Sequence, residues 1–445
     1  MAGFTSMRRQ NCPAVLVPIL LAISIVFVSA AEQRPAWLTE LSVGVRESYD
    51  NNVYLSGVNQ WDLPAGSGET LKDRRSFVTI VSPRIGLDLA PLAREQQWLK
   101  FLTLAYAPEY AIYHAVPEES YQAHRFLFGT QGSAGAFSFN ADNAFTYIHG
   151  SALGPAYPGG FVSAFNTAIP RERREQIQDR SKVTLQYDWD RWFVRPGASL
   201  IYYDLHTELK NPALASTPSG YQNYLDRYDL NTGFDLGWKF LPQMAGTLGY
   251  RYGHQYQQIL PWDVSESSNE YQRLLAGFEG RPWEWLTVAI QGGPDFRNYN
   301  PAAPLNDHTP VKTYGEASLS ATLSPRDSLS FKWKQWEWLS CLGKVPYLDS
   351  SYEVGYRRIL AKQWRLDLGA RICEADYTGG TLTNCRRDDL LYALSAGLQF
   401  DLNAHFSVDA GYELDLGRNA LDNLANQGQR EFSRQLASVG LMFRL

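Results

Sequence analysis

The chain closes on RQLASVGLMFRL (434–445), where Ala437, Val439, Leu441, Phe443 and Leu445 are apolar and Ser438, Gly440, Met442 and Arg444 stand between them. Strand side chains point alternately to opposite faces, so this spacing describes a strand with one apolar face. The same period runs through YDLNTGFDLGWKF. There Tyr228, Leu230, Thr232, Phe234, Leu236, Trp238 and Phe240 alternate with Asp229, Asn231, Gly233, Asp235, Gly237 and Lys239. WRLDLGARI (364–372), LYALSAGLQFD (391–401) and FSVDAGYELDL (406–416) repeat it. After residue 30 no apolar run is long enough for a transmembrane helix, and no stretch sustains a helical period.

Strand length decides what the apolar face meets. Strands of soluble sheets run about 5–6 residues, whereas a tilted membrane-crossing strand needs about 9–11. The alternating segments here are of the longer kind. Their connections alternate too. Short links lie near Gly132, Asp190, Leu241, Arg281, Ser324, Leu360 and Leu402, and between them fall long polar loops such as Ser56–Lys72, Gly150–Glu172 and Thr207–Gly220. Short turns on one side and long loops on the other describe an outer-membrane barrel whose apolar face meets lipid. Closure follows, because an open sheet edge in hydrocarbon leaves backbone groups unpaired. The pattern predicts an all-β, antiparallel up-and-down transmembrane β-barrel of about 18 strands (16–18) over residues 41–445, with periplasmic turns, extracellular loops and a short periplasmic segment at 31–40. A barrel of this size leaves an aqueous lumen.

Composition changes the picture little. Apolar residues make up 44% and charged residues 20%, but the aromatic share of 13% is rich, as interfacial girdles require. A formal charge of −5 over 445 residues gives no reason to expect a nucleic-acid partner. The N-terminus sets the compartment. Arg8 and Arg9 precede an apolar stretch, Ala14 to Val28, and then small residues, the layout of a signal peptide over 1–30 cleaved after Ala30. The expected location is the outer membrane, with outer-membrane lipid, the barrel-assembly machinery and a small hydrophilic solute as partners.

VGVRESYDNNVYLSG (43–57), a strand running into an Asp-Asn turn, resembles the first strand of the β-barrel porin family 2, and GAFSFNADNAFTY agrees with it. The resemblance implies an outer-membrane channel or accessory barrel and brings no catalytic residues. The C-terminal strand is similar to the terminal signal of bacterial outer-membrane barrels, except that Leu445 replaces the usual aromatic residue and Phe443 sits two before it.

Candidate chemistry lies on the inward phase. Arg46, Asp229, Asp235, Lys239, Arg251, Arg357, Arg365, Asp367, Arg371, Asp409 and Glu413 are the candidate pore-lining residues. So many charges in a dry core would be prohibitive, so the lumen is expected to be wet. FKWKQWEWLS (331–340) is the densest aromatic-charged stretch, and Trp336 and Trp338 fall out of the outward phase of Leu329, Phe331 and Trp333. A bulge feeding the interfacial girdle is the expectation, and a sugar-binding aromatic track the alternative. Asp204 and His206 are two apart at the outer end of a strand, similar to the Asp-x-His pair of outer-membrane aspartate-type proteases, but no second acidic pair accompanies them. No enzymatic activity, metal or cofactor is expected, since no His/Cys cluster has ligand spacing and no phosphate-binding loop is present. Cys373 and Cys385 flank a Gly-rich loop and are candidates for a disulfide worth roughly 3 kcal/mol. Arginine in place of lipid-facing Leu236 or Leu398 is expected to cost about 2–4 kcal/mol, and less at inward Gly237. The function expected is a porin-like channel for passive or weakly selective passage of small hydrophilic solutes. The alternative is a non-conducting scaffold barrel of an envelope or exopolysaccharide-export system.

Overall fold

The computed structural model describes residues 35–53, 75–93, 98–150, 175–206, 225–259, 266–340, 345–377, 387–421 and 432–445. Within them the chain is a succession of long strands. The first ten are β1 (Leu38–Asp50), β2 (Ser76–Asp88), β3 (Leu99–Tyr106), β4 (Glu109–Tyr113), β5 (Tyr121–Ala134), β6 (Phe137–His149), β7 (Gln176–Trp189), β8 (Trp192–Asp204), β9 (Arg227–Leu241) and β10 (Met244–Gln257). The rest are β11 (Asn269–Trp283), β12 (Leu286–Tyr299), β13 (Val311–Ser324), β14 (Asp327–Trp338), β15 (Tyr347–Ala361), β16 (Trp364–Asp376), β17 (Arg387–Asp401), β18 (Phe406–Leu421) and β19 (Phe432–Arg444). Each pairs antiparallel with its neighbour, and β19 returns to β1, with Val45 opposite Leu441 and Tyr49 opposite Ala437. The terminal strand therefore closes the barrel.

Nineteen strands make eighteen staves. Both β3 and β4 lie between β2 and β5, and Ala107–Pro108 interrupts them. Proline has no N–H to give the ladder, so one stave is broken in two there. The fold is a closed antiparallel 18-stave barrel, as the alternation implies.

The chain's turns obey the expected asymmetry. Two-residue links such as Gly135–Ala136 and Asp190–Arg191 lie at the end that carries the start of β1 and the last residue. Gly135 (φ 61°) and Asp190 (φ 52°) take the left-handed conformation that tight hairpins need. Long connections occupy the opposite, extracellular end. The outward phase is apolar and exposed, with Val439 at 60% and Leu248 at 65% exposure, joined by Leu230, Phe234, Leu236 and Leu394. Near the periplasmic rim the outward aromatics pair into a girdle, including Trp192–Trp238, Trp283–Trp285 and Trp364–Phe400.

Several inward glycines stand directly opposite aromatic rings. Gly237 faces Phe193, Gly253 faces Tyr271 and Gly417 faces Phe432 across neighbouring strands. In each pair a Cβ on the glycine would fall within the ring. The missing side chain lets an aromatic lie flat on the wall and rigidifies a residue that would otherwise weaken the strand. This corrects one expectation: arginine at Gly237 is not the milder change, because it would displace the fully buried Phe193 ring.

Candidate functional site: the charged lumen and its inward hairpin

The inward phase of β8 to β19 and β1 brings the sequence's candidates into one lumen, mostly as ion pairs. Arg46 meets Asp409 at 3.1 Å, Arg357 meets Asp367 at 2.6 Å and Arg365 approaches Asp401 at 3.9 Å. Asp235 takes Arg251 at 2.7 Å and Arg195 at 3.3 Å, and Arg195 also forks onto Glu279 with two bonds of 2.8 Å. Lys239 pairs with Asp188. Arg371 stands opposite Glu353 in register, and Glu413 opposite Ser395, beside the cavity that Arg46 and Asp409 share. Asp229 differs: it is buried, accepting from Tyr271 Oη (2.9 Å) and Gln255 Nε2 (2.7 Å).

Exposure divides the lumen into two walls. On the β15–β19 side Arg357 and Asp367 are 59% and 43% exposed, so those pairs stand in water. On the β9–β14 side, at the extracellular end, Arg297 and Asp295 are both 0% exposed. Something covers them, and it is the end of β14.

Strand β14 pairs with β13 only as far as Gln335, opposite Gly315, whereas its pairing with β15 continues to Trp338, opposite Tyr347. Above Gln335 the end of β14 parts from β13 and leans across the lumen, while β15 beside it stays paired with β16 as far as Leu348 opposite Asp376. Side chains of β9, β10 and β12 receive the freed carbonyls. Gln255 Nε2 donates to Glu337 O (3.0 Å), Gln257 Nε2 to Ser340 O (2.6 Å) and Arg227 Nη1 to Leu339 O. Arg297 Nη2 adds a bond to Glu337 O, and Tyr299 Oη donates to Glu337 Oε1 at 2.6 Å. Backbone groups that leave a ladder need such partners when buried.

Apolar packing completes the contact. Trp336 and Trp338 stack at 4.5 Å, Trp338 reaches Tyr203 on β8, and Tyr347 stacks on Tyr377. Together with Leu275, Tyr299, Leu305 and Val345 they form a buried cluster inside the barrel. Arg227 lies 4.9 Å from the Trp338 ring and Lys334 lies 4.0 Å from Trp336, cation–π contacts in a desolvated place. Trp336 and Trp338 therefore belong neither to a girdle nor to an exposed track, because no bulge returns them to the lipid face and packing closes both rings off.

Beneath this packing, at the waist, lies a cavity of about 660 Å³ that reaches from β6–β7 to β14–β15. Sequence reasoning named its Asp235 and Arg251 but gave no role to Arg195, Arg273, Arg297 or Glu337. Arg297 binds Asp295 at 2.8 Å and also donates to Gln255 and Asn269, while Arg273 lies between the Tyr271 and Tyr314 rings. Period two places Arg273 and Arg297 inward, and that signal was available.

Asp204 and His206 form a turn at the extracellular rim: Asp204 Oδ1 accepts from the His206 backbone N–H at 2.9 Å, and the ring Nδ1 lies 3.6 Å away. One further carboxylate, Asp226, is near. It accepts from Leu205 N–H, and burial raises its pKa above the ordinary value, with Asp204 adding to the rise. Asp226 is thus tied to backbone. Cys385, like Cys341, lies outside the described residues, so its pairing with Cys373 is not described; Cys373 forms no disulfide among the described residues.

No protein-family model matches the chain, so the specific likeness to β-barrel porin family 2 finds no support there. No curated protein matches either. Solved outer-membrane proteins do resemble it. The siderophore receptor PirA from Pseudomonas aeruginosa is 8% identical, with 92% of this chain and 81% of that chain covered and a TM-score of 0.38. OccAB3 from Acinetobacter baumannii is 8% identical, covering 91% and 99%, with a TM-score of 0.40. OmpT, an outer membrane protein of Vibrio cholerae, is 11% identical, covering 93% and 99%, with a TM-score of 0.31. Similarity at this level says nothing of solute or mechanism. Those must come from the lumen itself.

Proposed function

We propose that the chain is an outer-membrane channel that passes small hydrophilic solutes passively and with weak selectivity, after export and cleavage at residue 30. The observation that carries this reading is the wet wall. Ion pairs such as Arg46–Asp409 and Arg357–Asp367 are substantially exposed in the barrel interior, where a side-chain-filled barrel would have apolar packing. The inward end of β14 narrows the extracellular mouth from the β9–β12 side and leaves the β15–β19 wall to line the path. No reaction is part of this reading.

Liposomes carrying the refolded barrel should swell in isotonic monosaccharide at rates that fall as solute size rises. Absence of swelling for every solute would contradict the proposal. One observation favours the runner-up, a non-conducting scaffold: the contact made by the end of β14 is buried and held by side-chain bonds to its main-chain carbonyls.

A further inference from the structure

We infer that the waist cavity is a binding site for a small zwitterion, a solute carrying both an ammonium and a carboxylate at amino-acid or short-peptide size. This rests on the channel reading above and specifies the solute class of that lumen.

The arginines that line the cavity are already committed to carboxylates, as Arg195 and Arg251 are to Asp235 and Glu279. Of the other charged lining residues, Glu316 accepts from Gln291 and Tyr314 and Lys334 is held against the Trp336 ring, which leaves four. Asp142, Lys182, Lys332 and Glu353 line the cavity, and among the described residues none of them has an ion pair or a side-chain hydrogen bond. All four are exposed and lie near mid-strand. They form two ledges. Asp142 stands opposite Lys182 across β6–β7, and Lys332 opposite Glu353 across β14–β15. Strands β8 to β13 separate the ledges along the wall, so the ledges confront each other across the cavity.

Each ledge therefore offers one ammonium and one carboxylate that no protein group satisfies. Each opposed pair gives an ion of one sign as much repulsion as attraction; Arg371, opposite Glu353 on the β16 side, is not part of the cavity lining. A zwitterion can place its carboxylate on the lysine of one ledge and its ammonium on the carboxylate of the other, with charge-assisted hydrogen bonds at both ends. Between the ledges, the closed Arg195–Asp235–Arg251–Glu279 cluster carries two charges of each sign and adds no net field. A cavity of about 660 Å³ is of the size that holds small ligands.

The test is block of single-channel KCl current through the full mature barrel in a planar bilayer, using four solutes of similar size. Glycylglycine should lower the current saturably. Anionic N-acetylglycine, cationic glycylglycinamide and neutral N-acetylglycinamide should act at concentrations severalfold higher or not at all. The variants D142N/K182Q and K332Q/E353Q should each weaken the glycylglycine block, and the four-site variant should lose it while still conducting. The paired variants keep the test decisive if the four-site protein fails to fold. Equal block by a single-sign or neutral analogue, or undiminished block in the paired variants, would overturn the inference and leave the channel intact. A bilayer that never conducts would overturn the channel reading, and this inference with it.

Discussion

At the scale of single residues, alternation fixes which positions see lipid and which see the lumen. Leu394 is the middle residue of β17, outward and 53% exposed, while its neighbour Ser395 is inward and exposed. Leu394→Arg should cost about 2–4 kcal/mol, since a charge at the bilayer midplane loses its water, and Ser395→Arg should cost under about 1 kcal/mol. Reversible urea unfolding from lipid vesicles reads both, and equal costs would mean that the faces are misassigned. Gly237 shows where alternation alone misleads. It is inward, but the Phe193 ring occupies the space a side chain would need, so Gly237→Arg should be worse than Ser395→Arg. Arg297 sets the upper bound for a lumen residue. It is fully buried against Asp295, and Arg297→Ala leaves that carboxylate with Arg273 alone, a loss of about 3–5 kcal/mol in the same unfolding measurement.

At the scale of elements, the eighteen staves were legible because lipid imposes one rule on every strand. One stave runs as β3 and β4, and the alternation gives no sign of its break at Ala107–Pro108, although Pro108 is visible in the sequence. The inward hairpin was not legible. Lys332, Lys334, Trp336 and Trp338 share one phase, which places them inward, but period two cannot say that β14 leaves β13 above Gln335 while staying on β15. That departure depends on partners far along the chain: Arg227, Gln255, Gln257 and Arg297 each capture a main-chain carbonyl of the hairpin. Such long-range side-chain bonds leave no periodic trace. The double variant Arg227→Ala/Gln257→Ala removes two of the four holds without touching the lipid face. It should raise single-channel conductance and broaden its distribution. An unchanged conductance would mean that the hairpin does not narrow the path.

At the scale of the whole molecule, an apolar exterior and a polar interior invert the soluble plan, and the mean hydropathy of −0.32 conceals this by averaging the two faces. The candidate lumen residues were legible for the same reason as the staves, but their division into a wet wall and a covered wall was not, since it follows from the hairpin. The protein should fractionate with outer membranes and migrate differently on gels before and after heating, as a hydrogen-bond-closed barrel resists detergent until heated. Recovery as a soluble periplasmic protein would contradict a lipid-facing exterior.

The central claim is that the lumen conducts, and planar-bilayer recording of the refolded barrel tests it most directly. The account predicts stepwise insertions with a steady open current in KCl and near-equal permeability to cation and anion, because lumen pairs such as Arg46–Asp409, Arg357–Asp367 and Lys239–Asp188 balance both signs. Folded, membrane-inserted protein that gives no steady current at any voltage would contradict it.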